Sequence, residues 1–245
     1  MASLKLKSEA SRLILSYLWW IIEPLLYVGV FYLVFEKLLH RGGGDFLTFL
    51  IVGKIPFLWF SKSVNNSANA LLAGRGIMAQ RDFPKHIFPY AIVLENAHKQ
   101  WVVFLFLFVF VILKGHSITE AWLWLPAVII TNLLLILPLS MLASLMVAYV
   151  QDFRILIQMG TLFLMFASGI FWDIHEISDP YIRQLVFDFN PIAFLLDAYR
   201  QILMHQTKPD LAHLAVIAGI STLLLVFMHS IFKSQSQNIA NKVLS

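Results

Sequence analysis

Lys54, Glu95 and Lys99 are the charges whose positions suggest work away from bulk water. Each lies inside a long apolar run, Lys54 in residues 46–64 and the other two in residues 87–113. A lysine at mid-membrane costs roughly 2.5–3.5 kcal/mol on insertion scales, so it normally faces a cavity or a partner. Lys54 and Glu95 are expected at similar depth, and two readings stand side by side. In one, they form an internal ion pair that only holds two helices together. In the other, they form a polar wall for a hydrophilic or anionic cargo. Glu95 and Lys99, one helical turn apart, can also pair with each other. Aromatic rings offer a second chemistry: their faces suit the C–H groups of sugars, while Tyr and Trp keep a polar handle. Tyr27, Phe31 and Trp59, with Tyr32, Phe35 and Phe60, suit that role or plain packing, and periodicity does not separate the two.

Patterns for bond-breaking chemistry are absent. There is no Gly-x-x-x-x-Gly-Lys-Ser/Thr phosphate loop, so ATP is not hydrolysed here through that motif. His40-Arg41-Gly42-Gly43-Gly44-Asp45 is a flexible turn, because the Lys-Ser/Thr that a phosphate loop needs does not follow. Neither His-Glu-x-x-His nor Gly-x-Ser-x-Gly occurs. His40, His116, His175 and His205 are expected in loops or at helix ends, at spacings that do not suggest zinc. Asp173, Glu176, Asp179 and Asp188 are scattered without a ligand pattern. With no cysteine, the chain has neither a disulfide nor a thiolate metal site.

Positioning these groups requires membrane helices. Of the 245 residues, 59% are hydrophobic and 13% charged, against about 25% charged in soluble domains. Mean hydropathy is +0.76. The composition predicts an all-α, polytopic membrane protein forming one domain over residues 1–245. The pI near 9.3 reads as topology and contact with anionic lipid, not nucleic-acid binding. Six spans are expected, at about 18–39, 46–64, 87–113, 122–150, 155–172 and 211–232, each able to cross ~30 Å of hydrocarbon. Leu18–Leu39 is longer than a signal-peptide core and has no Ala-x-Ala, so it is read as a retained span. Before it, Leu4, Leu6, Arg12, Leu13, Ile14 and Tyr17 suit an interfacial helix.

Residues 67–80 show helical spacing at Leu71, Leu72, Arg75 and Met78 and predict an amphipathic cytoplasmic helix. Ser140, Ser144 and Ala148 form a small-xxx-small row that lets another helix approach closely. Asp179-Pro180 and Asn190-Pro191 are cap-plus-proline helix starts. They predict short helices at 180–188 and 191–204, read together as an outer hairpin dipping partway into the membrane, with a flap in water as the alternative. A polar tail follows span 6. Cytoplasmic termini place ten loop Lys and Arg inside against six outside, which favours that orientation under the positive-inside rule.

Four stretches then carry a resemblance. They are Leu15-Ser16-Tyr17-Leu18-Trp19-Trp20-Ile21-Ile22-Glu23-Pro24, Gly53-Lys54-Ile55-Pro56-Phe57-Leu58-Trp59-Phe60, Phe83-Pro84-Lys85-His86-Ile87-Phe88-Pro89, and Asn190-Pro191 followed by Arg200. In order and spacing the set resembles the membrane subunit of ABC-2 type polysaccharide exporters. Ser16 stands where that family usually has Gly, and Lys54 is unusual at its position. The resemblance implies a homodimer working with two copies of a separate ATPase, which carries the ATP and Mg; no cofactor is expected in this chain. It implies a lipid-linked polysaccharide cargo, O-antigen first and capsule or teichoic acid next, and a bacterial inner-membrane location. A non-glycan cargo, a membrane-embedded glycan-processing enzyme and a passive channel are the alternatives. Under this reading Tyr27, Phe31, Lys54, Trp59 and Glu95 line the pathway. Leu71, Arg75, Met78 and Arg81 dock the ATPase, and Asn190, Pro191, Tyr199 and Arg200 form the outer gate.

Overall fold

The computed structural model describes residues 45–80 and 83–244, with isolated positions between 22 and 34. The first span, the N-terminal interfacial helix, Tyr27, Phe31 and Arg81 lie outside the described residues, those isolated positions apart. The described secondary structure is helical throughout. α1 is Phe46–Ala68, α2 Ala70–Ala73, α3 Arg75–Gln80, α4 Ile87–Leu113, α5 Leu125–Tyr149 and α6 Phe153–Ala167. α7 is Pro180–Phe189, α8 Pro191–Leu203, α9 Leu211–Ser234 and α10 Ser236–Leu244.

Four described segments are long and apolar enough to cross a membrane: α1, α4, α9, and α5 with the 3-10 turn Glu120–Trp124 before it. α1 is the central post, packed against α4, α5, α6 and α8. Its most apolar stretch is 78% buried, against 28% in α4 and 22% in α9. The outer faces of α4 and α9 expose Leu94, Trp101, Leu105, Val216, Leu223 and Phe227, as helices do toward lipid tails. Lipid is as apolar as leucine, so close packing and polar contacts, not exclusion from water, hold such helices together. The Ser140, Ser144 and Ala148 row on α5 is accordingly buried. Pro56 and Pro138 sit inside α1 and α5, which membrane helices tolerate where neighbours satisfy the freed backbone groups.

The structure departs from the sequence expectations in three places. The fifth apolar segment is a helix of 15 residues, about 22 Å long at 1.5 Å per residue and short of ~30 Å. It stops because Gly169 adopts φ +70°, a left-handed conformation that favours glycine, and Ile174 fills the space where a Cβ would point. The segment 67–80 is not one helix: α1 runs on to Ala68, and the chain breaks at Asn69 and Gly74, both weak helix formers. The tail after span 6 is helical in α10, whose Ile239 and Val243 are buried with Leu71, Met78, Met141 and Phe232.

Candidate transport pathway

Lys54 is 2% exposed on α1, and its Nζ lies 2.8 Å from Met165 Sδ on α6. The ammonium also sits 5.7 Å from the Phe57 ring centre and 5.9 Å from that of Phe171. The thioether is a weak acceptor and the ring faces attract cations. Toward the other end of α1, Asn65 Nδ2 donates to Thr161 Oγ1 at 3.0 Å, again on α6. Lys54, Asn65, Thr161 and Met165 thus make a polar seam between α1 and α6. α6 turns its opposite face outward with Ile155, Leu156, Met159, Leu162, Phe163 and Phe166. Asn65, Thr161 and Met165 were not singled out in the sequence. The readable signal was polar Thr161 on the face of α6 away from its exposed apolar residues.

Glu95 pairs with Lys99 through a 3.0 Å contact along α4. Of the pairings open from the sequence, this within-helix one is formed. Gln100, one residue on, reaches from α4 to Ile55 O at 3.5 Å. Trp59 is 4% exposed and meets the Phe104 ring edge-on at 5.8 Å, so it packs in the core.

At the hairpin end, Asn190 Oδ1 caps α8 by accepting from Ala193 N at 3.1 Å. Its Nδ2 donates to Ser168 Oγ at 3.0 Å, fastening α8 to the end of α6. Pro191 follows at the first helical position, where a missing N–H costs nothing. Asp179 caps α7 in the same way, accepting from Tyr181 N. Arg200, 2% exposed, donates through Nε to Phe49 O and through Nη2 to Ile170 O, each at 3.4 Å. Its guanidinium lies 3.5 Å from the Phe49 ring centre. A Cβ on Gly53 would run into that guanidinium, so the Gly53 stretch and the Asn190-to-Arg200 stretch are two halves of one joint. Asp197 supplies negative charge beside Arg200 and accepts from Gln201 at 2.6 Å, with His175 at 3.0 Å. Tyr199 is fully buried, stacked 5.9 Å from Phe104. α8 is therefore the anchored limb of the hairpin, while no residue of α7 is buried.

At the opposite end, Leu71 is fully buried and Met78 is 7% exposed, both packed beneath α10. Arg75 is exposed and its Nη2 donates to Leu244 O at 2.5 Å. Nearby, the His86 and His229 rings lie 4.5 Å apart. Burial, and then the proximity of His229, hold the His86 imidazole below its ordinary pKa.

The ABC-2 type transporter family model matches residues 10–204. The O-antigen export system permease protein RfbA of Myxococcus xanthus is 27% identical over 240 residues, covering 98% of this chain and 92% of that protein. RfbA of Klebsiella pneumoniae is 24% identical over 242 residues, covering 97% and 90%. The polysialic acid transport protein KpsM of Escherichia coli is 24% identical over 207 residues, covering 82% and 78%. With the family model spanning most of an all-helical, multi-pass chain, the protein belongs to the ABC-2 type transporter family.

Proposed function

We propose that this chain is the permease subunit of an ATP-driven exporter that moves a lipid-linked polysaccharide, of the O-antigen class, across a bacterial inner membrane. The observation that carries the reading is end-to-end similarity to proteins named as O-antigen export permeases, joined to a polar seam around a buried Lys54. A hydrophilic cargo needs polar groups at mid-membrane, and the α1–α6 seam supplies them. Two copies pair so that the path runs between them, with the first span, α6 and the α7–α8 hairpin as the candidate contact between copies. ATP and Mg are held by a separate ATPase. Both termini lie in the cytoplasm, and α7 and α8 form a re-entrant hairpin at the outer face. α1 to α3 lead to the ATPase contact, where Arg75 is the exposed cation.

A glycan-processing enzyme is less well supported. It would want paired carboxylates or a metal site in that loop, where Asp173 and Asp179 cap the short helices, Asp188 accepts from Gln184 and Glu176 stands exposed. The test is complementation of a permease-deletion strain, following surface glycan and lipid-linked glycan inside the cell. Lys54→Met is expected to insert normally yet leave the glycan inside. Normal surface glycan with this variant overturns the pathway role. Arg75→Glu is expected to keep ATPase binding measurable while cutting export; full export removes Arg75 from the docking contact.

A further inference from the structure

The end of the bundle away from the hairpin holds a cleft of about 430 Å³ that the transport reading does not use. Lys85 and His86, leading into α4, form one wall, and His229, Lys233 and Ser236, around the junction of α9 and α10, form the other. Phe232, 1% exposed, lies at its base. None of the described lining residues is acidic. Lys85 is 3% exposed, while Lys233 is open to solvent. The cleft sits where two apolar helices reach the membrane boundary: α4 begins at Ile87 and α9 ends at Ser234. The N-terminal end of α4 adds the positive pole of a helix dipole. A volume of this size accommodates a small polar group with part of its carrier.

We propose that this cleft binds a phosphate group, presented as the headgroup of an anionic membrane lipid. Lys233 supplies positive charge at the rim, the His86 and His229 rings line the cleft beside the buried Lys85, and the Phe232 side of the cleft takes the apolar part next to the phosphate. Basic residues between helices at headgroup level are the usual recognition chemistry for such lipids, each worth about a fivefold gain in binding. The inference does not depend on what cargo the protein moves.

The test uses the full chain purified in detergent, with lipid binding followed by native mass spectrometry. The probes are phosphatidylglycerol, phosphatidylcholine and inorganic phosphate. Wild type is expected to bind phosphatidylglycerol at least tenfold more tightly than phosphatidylcholine. The double variant His229→Gln, Lys233→Gln is expected to weaken phosphatidylglycerol about fivefold or more, and a Lys114→Gln, Lys208→Gln control at the hairpin end to leave it unchanged. Should the double variant unfold, Lys233→Glu alone, at an exposed position, carries the same expectation. Equal affinity of wild type and variant for phosphatidylglycerol, or equal binding of phosphatidylcholine, overturns the site. Competition by inorganic phosphate as strong as by phosphatidylglycerol identifies free phosphate as the ligand; much weaker competition identifies the lipid headgroup. Both outcomes sustain phosphate recognition.

Discussion

Arg200 joins α8 to Phe49 in the first turn of α1 and to Ile170 beyond the end of α6. It is 2% exposed, held by two carbonyls and a ring face, and flanked by the charges of Asp197 and Asp173. Removing one member of a buried charged group strands the rest and costs roughly 3–5 kcal/mol. Arg200→Met is therefore expected to lower stability by that order, read as a shift in denaturant unfolding in detergent. Gly53→Ala forces a methyl into the guanidinium and is expected to cost about 1–3 kcal/mol. Combined with Arg200→Met the second cost should largely vanish, so the pair departs from additivity; strict additivity would show that the two do not share one space. His86 gives a pH dependence. Its folded pKa lies below the ordinary 6.5, so the folded state prefers the neutral ring. Stability is complete above the unfolded value and is lost as pH falls from there through the folded value. The unfolding midpoint should drop between pH 7.5 and 5.5, with a shallower drop in His86→Gln.

The short helices show what sequence can and cannot reveal about an element. α7 and α8 were legible because Asp-Pro and Asn-Pro supply a cap and a preset φ at adjacent positions, and the side chains of Asp179 and Asn190 do cap them. That α8 would be buried was not legible, since Asp197, Arg200 and Gln201 look like a solvent face until their partners arrive from distant segments. The end of α6 is hidden for a related reason: Ile170, Phe171 and Trp172 continue the apolar composition past it, and the left-handed turn at Gly169 ends the helix. α10 is the opposite case. Ile239 and Val243 are too sparse a pattern to predict a helix, and packing on Leu71 and Met78 supplies what local propensity lacks. Deleting residues 236–245 uncovers that cluster. At roughly 1.5–3 kcal/mol for each buried apolar side chain, the loss should approach that of a large core truncation. A melting curve unchanged by the deletion would mean that α10 contributes no stability.

At the scale of the molecule, the polytopic helical architecture was legible from composition and from the spacing of apolar runs. The polar seam was not, because Lys54 meets Met165 and Phe171 more than a hundred residues along the chain. The exposed apolar face of α6 gives the pairing of two copies a direct test. The chain has no cysteine, so single cysteines at Phe163 or Phe166, 70% and 53% exposed, report cleanly. Crosslinked dimers in membranes are expected at both, and monomers at both would move the seam elsewhere. One consequence follows from the Arg200 joint. Lys54 is the next residue after Gly53, only 1.5 Å farther along a rigid helix. A tilt of α8 is expected to press on Gly53 through the guanidinium and to shift Lys54 with it. α8 and Lys54 are thus coupled through one contact, so a change that holds α8 still is expected to restrain Lys54 without touching it.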